Sequence, residues 1–389
     1  MRRKIVATVL AAAMAVMSLA GCGSSSTSSS STSASSASAT TATSTSAAST
    51  ESADASDTES TTTTEANGIT FTEKPEIASD ATKITIAIPD PEQSYIGVAA
   101  TEFANRAMTY SNGTLDITVS GNGSLYGGDT AAGIKQLAAG SLQMLILSSS
   151  VYASFEPGYN VIFVPYMFDD QAQLLDYLNS DTGVELMNRV NKMGITRLGS
   201  WTRSFREITN SKKPITKPSD LKGLVLRVPN NSLYVEFFNA CGAVTTPMNF
   251  SEVYNALQLH TLDGQENPVD VPYSNKFYEV QKYISFTNHM ADAWLVGVNS
   301  NFYNGLTKEQ QDALTKAGEE VQQWNVDYMA QQDKVALKTL TDNGMESNDI
   351  SDESKQEFIK ISQSCYNKFK ELINDDELFS ATAKFTGRE

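Results

Sequence analysis

Alternating apolar and polar positions in the first half of the chain predict strands separated by helices. The segment 83–89, Lys-Ile-Thr-Ile-Ala-Ile-Pro, alternates β-branched residues with others and ends at a proline, which is typical of a strand. Similar patterns predict a helix at about 94–110, a strand at 115–120, a helix at about 130–139 and a strand at 144–147. Strands that alternate with helices indicate an α/β fold with a largely parallel sheet.

A long amphipathic helix is predicted nearer the C-terminus. Thr307 and Gln310 have the spacing of a capping box, and Asn343-Gly344 is a helix-stop signal. One apolar stripe recurs at steps of three and four residues, at Leu314, Ala317, Val321, Trp324 and Tyr328. The stripe is most simply core packing, but about 36 helical residues span roughly 54 Å. We therefore expect this helix to lie across two domains.

Two strand ends are candidates for a ligand cleft. In α/β sheets, ligands bind at the carboxyl ends of the strands. The turns that follow two of the predicted strands are Pro89–Ser94 and Ser148–Ser150. Short polar turns also serve simply as helix caps, so their position leaves both interpretations open.

The N-terminal residues have the pattern of an export signal. Basic residues at 2–4 precede the apolar run 5–18 and the segment Leu19-Ala20-Gly21-Cys22, which has the pattern of a lipobox. We expect a signal peptide at 1–21, a lipid on the Cys22 thiol, and localisation on the extracytoplasmic face of the cell membrane. The alternative is an ordinary secretory signal with a chance cysteine, and the protein is exported in either case.

Residues 22–67 are expected to form a disordered tether. Beyond the cysteine, the segment is almost all Ser, Thr and Ala without aromatics, and such a composition cannot bury enough apolar surface to fold. No later apolar run is long enough to cross a bilayer. The lipid is then the only anchor that the sequence predicts.

The composition excludes several partner classes. The formal charge is −16, and it becomes −19 without the three basic residues of the signal peptide. Nucleic acid and anionic lipid would repel such a chain. Apart from Cys22, the cysteines are Cys241 and Cys365, which are too few for a disulfide framework. One bridge between them is possible, and two buried free thiols are the simpler expectation.

Positive charge is concentrated between residues 197 and 227, where eight basic and two acidic residues give +6 over 31 positions. An acidic exported protein with such a segment is a candidate for holding a small anion. Its lysines are expected on the surface. Arg227 differs, because on a strand it shares a face with Val225 and needs a partner for its charge. That partner is an internal carboxylate or a ligand carboxylate held by the guanidinium fork.

Recognisable catalytic motifs are missing from the sequence. His260 and His289 are the only histidines, and neither has the spacing of a metal ligand. The glycines at 121–128 miss the dinucleotide fingerprint and are interpreted as a loop. We therefore expect no metal, no cofactor and no enzymatic activity.

Four segments in order closely resemble the solute-binding proteins of TRAP transporters, the tripartite ATP-independent systems. They are DLKGLVLRVP at 220–229, PMNFSEVYNALQ at 247–258, DGQENP at 263–268 and KFYEVQKY at 276–283. Weaker similarity runs from about residue 83 to the long helix. The resemblance implies an α/β, two-domain, periplasmic-binding-protein-like fold with an interdomain cleft and a long helix that bridges both domains.

The resemblance also implies where the two domains lie. Within a solute-binding fold at 68–389, we expect domain I at about 83–203 and 294–332. Domain II is expected at about 204–293 and 333–389.

Substrate-binding roles follow from the same resemblance. Arg227 falls on the family's principal arginine, which clamps the substrate carboxylate, and Arg206 falls on a second arginine. Asn267 matches a cleft asparagine that contacts a neighbouring hydroxyl or carbonyl group. Phe250 and Asn230 match positions that often line the cleft.

Four positions depart from the family's pattern. Ser204 stands where many relatives have glycine, and Arg203 stands where a neutral residue is usual. We expect Arg203 to face water, the alternative being a ligand with a second anionic group. His260 is expected to be a left-handed helix cap. Ser148, kept as a substrate-binding candidate, lies where some sialic-acid-binding relatives have glutamate, which weakens the case for sialic acid.

The resemblance implies a receptor that captures a small organic carboxylate and delivers it to the membrane subunits of a TRAP permease. The ligand is expected to be a sugar acid such as a uronate, or alternatively a C4-dicarboxylate or keto acid. The other expected partner is the membrane, through lipidated Cys22, and we expect a monomer without nucleic acid. A receptor for a sensor kinase, an exported enzyme acting on a carboxylated sugar and an inert adhesin are the alternatives.

Overall fold

The computed structural model describes residues 63–66 and 68–389, so the predicted signal peptide, Cys22 and most of the predicted tether lie outside the described residues. The strands are β1 Thr63–Ala66, β2 Ile69–Thr72, β3 Thr82–Ala87, β4 Leu115–Ser120, β5 Met144–Ser148, β6 Ile195–Asn210, β7 Val225–Val228, β8 Val244–Pro247, β9 Gly264–Asn267, β10 Tyr283–Asn299 and β11 Glu346–Asp349. The α-helices are α1 Tyr95–Tyr110, α2 Thr130–Ala139, α3 Ser149–Tyr152, α4 Gln171–Asn179, α5 Asp181–Asn188, α6 Ser232–Ala240, α7 Val253–Gln258, α8 Asp270–Ser274, α9 Ser300–Asn304, α10 Lys308–Asp342, α11 Asp352–Ser364, α12 Tyr366–Ile373 and α13 Asp376–Thr386. Short 3-10 helices lie at Ser124–Tyr126, Pro157–Phe163, Arg189–Met193, Pro218–Leu221, Phe250–Glu252 and Phe277–Glu279.

Nine of these strands form one mixed sheet in the order β4-β3-β5-β10-β6-β9-β7-β8, with β11 also paired to β10. β3 runs parallel to β4 and β5, and β7 runs parallel to β8 and β9. The centre is antiparallel, because β10 opposes both β5 and β6, and β6 opposes β9. The α/β prediction is confirmed, and the sheet has two parallel wings joined by an antiparallel centre.

Two long strands, β6 and β10, run through both halves of the sheet, with 16 and 17 residues respectively. β11 pairs with β10 at residues 283–286, whereas β5 pairs with it at residues 294–298. Between these segments the register of β10 against β6 shifts twice, once between Ser285 and Met290 and once between Met290 and Asp292. The regular ladder is therefore interrupted where the two halves of the sheet meet.

The two faces of the sheet carry separate hydrophobic cores. Along β5, Met144 and Ile146 belong to one core, whereas Leu145 and Leu147 belong to the other. Residues of α1 and α10 complete the first core, and residues of α2, α6 and α11–α13 complete the second. Strands that are buried on both faces are apolar throughout, which explains why β5 shows no alternation in the sequence.

The long helix α10 begins and ends where the sequence predicts, and it bridges both halves of the sheet. Thr307 and Gln310 form the reciprocal hydrogen bonds of a capping box, and Asn343 is the C-cap. At 35 residues, α10 is about 52 Å long. Gly318 allows it to approach β6 closely, because a Cβ atom there would lie 2.1 Å from the Leu198 carbonyl oxygen.

Most of the other local predictions are also confirmed. β3, α1, β4, α2 and β5 agree with the predicted segments to within two residues. His260 has a left-handed φ of 55°, and Cys241 and Cys365 are buried free thiols. The predicted tether is wrong at its end, because residues 63–66 form β1 and pair with β2 as a hairpin. Among the described residues, no helix has the length and apolar character needed to span a membrane.

Candidate functional site

Arg227 carries a buried positive charge without a carboxylate partner in the part of the chain that the structure describes. Leu226 and Val228 belong to the hydrophobic core, so the alternation of β7 turns Arg227 to the other face. Its Nε and Nη2 groups donate to the Met248 carbonyl oxygen at 3.1 and 2.6 Å. Its Cζ atom lies 5.9 Å from the centre of the Phe250 ring. The sequence left open whether an internal carboxylate pairs with this guanidinium, and none does among the described residues.

The environment of Arg227 leaves part of its guanidinium available to a ligand. The side chain is only 4% exposed, and burial lowers the pKa of Arg227 to about 10. It is therefore still charged at neutral pH. Its two hydrogen-bonding nitrogens share one carbonyl oxygen, and Nη1 donates to no described residue. A guanidinium in this state is suited to an incoming carboxylate.

Arg206, the second predicted arginine, is held by internal partners. Its Nε donates to Glu266 Oε2 at 2.5 Å and its Nη1 donates to Asp292 Oδ2 at 2.6 Å. Its Nη2 donates to the Glu266 carbonyl oxygen, Glu266 Oε1 and Asn267 Oδ1 at 2.8–2.9 Å. Although burial opposes its charge, these carboxylates hold the pKa of Arg206 well above its ordinary value. Arg206 therefore lines the cleft as part of a neutralised network.

The expectation that Arg203 faces water is wrong. The residue is 4% exposed and donates from Nη1 to Asp292 Oδ2 at 2.9 Å. Its Nη2 donates to both oxygens of Asp270 at 3.2 Å, and its Cζ atom lies 4.9 Å from the centre of the Trp294 ring. Two carboxylates on neighbouring elements compensate the charge, which is why Arg203 is stable inside the protein.

A bulge in β6 brings the two internal arginines to one carboxylate. Met290 is opposite Arg206, and Asp292 is opposite Arg203. A step of three residues along β6 is therefore matched to a step of two residues along β10. In a regular strand, residues three apart point to opposite faces. The extra residue of the bulge cancels this alternation, and both guanidiniums reach Asp292 Oδ2.

Ser148 is tied to the same network. Its hydroxyl donates to Asp292 Oδ1 at 2.7 Å and also accepts a hydrogen bond from the backbone N–H of Ser150, as the N-cap of α3. Asp292 therefore accepts hydrogen bonds at both carboxylate oxygens. The predicted turn at Ser148–Ser150 is both a helix cap and a wall of the cleft.

Of the three remaining predicted site residues, Asn267 and Phe250 line the cleft and Asn230 does not. Asn267 lines the cleft, but its Oδ1 accepts from Arg206 and its Nδ2 donates to Gln265 Oε1 at 2.6 Å. Phe250 lines the cleft below the Arg227 guanidinium. Asn230 is exposed, donates to Asn249 Oδ1 at 3.0 Å and does not line the cleft in this structure.

Together these residues line a cleft of about 500 Å³, which includes its solvent-open mouth. The lining residues are Pro89, Asp90, Thr130, Leu147, Ser148, Ser150, Val151, Arg203, Arg206, Arg227, Pro229, Phe250, Asn267, Val271 and Trp294. The predicted turns after β3 and β5 both contribute, as the position of strand ends in α/β sheets implies. No group of three or more His, Cys, Asp or Glu residues suited to a metal is found among the described residues.

Sequence reasoning missed the carboxylates of the site. Asp90 lies in the turn after β3, which the sequence singled out, but its role was not recognised. Glu266 lies in the family-like segment at 263–268, and Asp270 follows that segment directly. Asp292 interrupts the otherwise apolar run 290–298, and an acid in a fully buried strand was the available signal. Burying a carboxylate is unfavourable unless it is paired, so these acids predict nearby cations.

The arrangement is suited to binding rather than to bond breaking. The charged groups of the network are held by one another, and His289 is buried with its Nε2 3.2 Å from Glu266 Oε2. Burial lowers the pKa of His289 despite that carboxylate. The imidazole is therefore neutral at pH 7. His289 is also not among the residues that line the cleft.

The sequence matches the model of a family described as bacterial extracellular solute-binding protein, family 7 (DctP), over residues 87–372. One curated relative is the C4-dicarboxylate-binding protein DctB of Bacillus subtilis, which is 31% identical over 278 residues. The alignment covers 71% of this chain and 79% of the relative.

Two solved structures share the fold. The sugar acid binding protein DctPAm of Advenella mimigardefordensis, in complex with galactonate, matches with a TM-score of 0.76 and 27% identity, over 80% of this chain and 99% of that protein. A TRAP periplasmic solute binding protein of Sulfitobacter sp. NAS-14.1, with bound β-D-galacturonate, matches with a TM-score of 0.73 and 26% identity. That match covers 79% of this chain and 100% of the other.

Proposed function

This chain belongs to family 7 of the bacterial extracellular solute-binding proteins, the DctP family of TRAP receptors, and we propose that it is a lipid-anchored receptor for a small organic carboxylate. The family consists of substrate-binding receptors and not of enzymes. In this proposal the protein captures its ligand outside the cell and delivers it to a TRAP permease.

One observation indicates the chemical class of the ligand. Arg227 is buried, charged and without a carboxylate partner among the described residues, and it lines the cleft. A desolvated cation is costly unless an anion compensates it, and a ligand carboxylate would supply that anion through a bidentate contact. The related proteins with C4-dicarboxylates, galactonate and galacturonate in their names support an acid as the ligand.

We infer that Arg227 binds the carboxylate directly, that Phe250 covers an apolar part of the ligand, and that Asn267 and Ser148 offer hydrogen bonds from the wall. Arg206 then acts by holding Asn267 in place, since the two are joined at 2.9 Å. Asn230 belongs to this site only if the loop after β7 moves when a ligand enters.

The two domains of the proposal are residues 83–203 with 294–332 and residues 204–293 with 333–389. The divisions in β6 and β10 lie beside the register shifts around Met290. Closure over a ligand would be a hinge motion at these crossings. A ligand that contacts both domains favours the closed state because it binds that state more tightly.

Isothermal titration of the purified protein with sugar acids, C4-dicarboxylates, keto acids and neutral sugars tests the receptor role. We expect one class of carboxylate to bind with one-to-one stoichiometry and to be recovered unchanged by mass spectrometry. Binding of neutral sugars alone would contradict the role of Arg227. Release of a chemically altered product would indicate an enzyme instead.

The anchor and the permease need separate tests. Mass spectrometry of the N-terminal peptide should find a diacylglyceryl group on Cys22, and Cys22→Ser should release the protein from the membrane fraction. Deletion of the permease subunits should abolish uptake of the ligand while leaving its binding intact. Uptake that persists, together with a changed transcriptional response to the ligand, would favour the sensor-kinase alternative.

A further inference from the structure

Among the residues that the structure describes, the charges of the cleft wall leave a single cation free for a ligand. Arg203 and Arg206 are held by internal carboxylates at 2.5–3.2 Å, namely Asp270, Asp292 and Glu266. Among the described residues, the third arginine, Arg227, has no such partner. A ligand with two carboxylates would therefore find one guanidinium with free donors and one pair of guanidiniums that are already neutralised.

Asp90 presents an acceptor to the same cleft. It is 7% exposed, and its Oδ1 accepts a 2.9 Å hydrogen bond from Asn275 Nδ2. Its Oδ2 accepts from no residue that the structure describes, and no basic side chain of the described residues lies within 4.0 Å of it. Burial raises the pKa of Asp90 to about 6, with Arg203 opposing the rise. The carboxylate is consequently mostly ionised at pH 7, with one oxygen available.

A buried anion on the cleft wall discriminates between ligands by charge. A second ligand carboxylate beside Asp90 would meet like-charge repulsion in a poorly solvated site. A hydroxyl group would instead donate a charge-assisted hydrogen bond to Oδ2. Hydroxyls of Thr130, Ser148 and Ser150 line the cleft as well. A hydroxyl can donate one hydrogen bond and also accept, and that of Ser148, which already donates to Asp292, can only accept from a ligand.

An ammonium group is the other partner that Asp90 would accept, and two features disfavour it. Arg203 already compensates part of the Asp90 charge, so a second cation there would be repelled. The aromatic faces that stabilise ligand cations are also taken, since Phe250 lies below Arg227 and Trp294 lies below Arg203.

We propose, building on the receptor function above, that the cleft selects a hydroxylated monocarboxylate and that Asp90 is the specificity-determining residue. The ligand carboxylate pairs with Arg227, and one of its hydroxyl groups donates to Asp90 Oδ2. C4-dicarboxylates and hydroxyl-free monocarboxylates are then the poorer ligands.

Titration calorimetry on the wild type and Asp90→Asn tests this assignment. The probes are D-galactonate, D-galacturonate, D-glucuronate and D-erythronate, against succinate, butyrate and L-threonine. We expect at least one hydroxylated acid to bind the wild type at least tenfold more tightly than succinate or butyrate. Asp90→Asn keeps the acceptor for Asn275 but offers a donor to the ligand. It should therefore weaken the binding of the hydroxylated acid about tenfold and strengthen the binding of succinate.

Glu92→Gln is the matched control, because Glu92 is an exposed acid two residues away and the substitution removes the same charge. It should leave all affinities unchanged. Tighter binding of succinate or L-threonine to the wild type would overturn the assignment while leaving the receptor function intact. An equal loss of all ligands in Asp90→Asn would also overturn it. Failure of every acid to bind the wild type would instead contradict the receptor function itself.

Discussion

Ser251 Oγ donates a 3.2 Å hydrogen bond to the carbonyl oxygen of Gly128, and the two residues stand next to Phe250 and close to Thr130, which line the cleft. Gly128 has a φ of +75°, and a Cβ atom there would lie 2.5 Å from Ser251 Oγ and 2.7 Å from Ser251 Cβ. At the mouth of the cleft, Gly128 therefore lies so close to Ser251 that a side chain at position 128 does not fit.

Gly128→Ala should weaken ligand binding without touching the ligand. The added methyl group would clash with Ser251 in the arrangement that the structure shows, and overpacking of this kind costs about 1–3 kcal/mol. We expect an affinity loss of about tenfold, measured by calorimetry with whichever acid binds the wild type. Adding Ser251→Gly in the same chain should restore most of the affinity.

Gly127→Ala is the control for backbone strain in that experiment. Gly127 has a similar φ of +65°, but no atom lies within 4 Å of a Cβ placed there. The two alanines share the left-handed strain and differ in the clash. Equal losses from both substitutions would show that strain, and not closure against Ser251, controls the affinity.

Replacing Arg227 should remove most of the binding energy. Truncation of one partner of a buried charge pair costs about 2–5 kcal/mol, so Arg227→Ala should lower the affinity at least about 30-fold. Arg227→Lys should also bind poorly, because an ammonium group cannot form the planar fork. Lys222→Ala, which removes an exposed cation from the same segment, should bind like the wild type. An unchanged dissociation constant for a folded Arg227→Ala protein would exclude the clamp.

Substitution of Arg227 and substitution of Arg206 should have different effects on the free energy of unfolding of the ligand-free protein. Arg227→Met removes a desolvated charge whose one polar partner among the described residues is the Met248 carbonyl oxygen, so urea unfolding should show stability that is unchanged or raised. Arg206→Met leaves Glu266 without its arginine and Asp292 with Arg203 alone, and loss of one partner in a buried network costs about 3–5 kcal/mol. Equal destabilisation by the two substitutions would assign Arg227 a structural role.

The contribution of Asp333 to the stability of the protein should fall as the pH rises from about 4 to about 7. This residue of α10 is hydrogen-bonded by Ser204, and burial raises the pKa of Asp333 from 3.8 to about 7, with Asp270 adding to the rise and Arg203 opposing it. The unfolded chain releases this proton at lower pH, so ionisation favours unfolding between the two pKa values. The upper limit of this effect is about 4 kcal/mol.

Asp333→Asn isolates that contribution, because Glu207 and Asp90 also have raised pKa values. The difference in unfolding free energy between Asp333→Asn and the wild type should grow in favour of the variant between pH 4.5 and pH 7.5. Asp327→Asn, an exposed position on the same helix, should show no such change. A pH-independent difference for Asp333→Asn would contradict the assignment.

The sequence predicted the elements well because their signals are local. The capping box of Thr307, the alternation of Leu226, Arg227 and Val228, and the left-handed cap at His260 each depend on a few adjacent residues. The length of the amphipathic stripe already indicated a helix across two domains, and the family resemblance added the position of the cleft between the domains. Neither source gave the antiparallel centre of the sheet, because strand pairing across long separations leaves no local pattern.

The charge network could not be predicted from periodicity for a specific reason. Arg203 and Arg206 are three residues apart on a strand, and regular alternation would place them on opposite faces. The bulge opposite Asp292 brings them together, and a bulge of this kind depends on the partner strand. Arg203 was therefore expected in water, although Asp270 and Asp292 enclose it.

Trp294, which lies under Arg203 in the wall of the cleft, gives the protein an intrinsic optical reporter. It is one of three tryptophans in the chain. The other two do not line the cleft. The indole of Trp201 donates to the Gly318 carbonyl oxygen, and the indole of Trp324 donates to the Thr70 carbonyl oxygen. A ligand in the cleft would therefore lie beside one of the three indoles, that of Trp294. Its fluorescence would follow the occupancy of the cleft in real time, without any attached dye, and the binding protein could serve as a sensor of its own substrate.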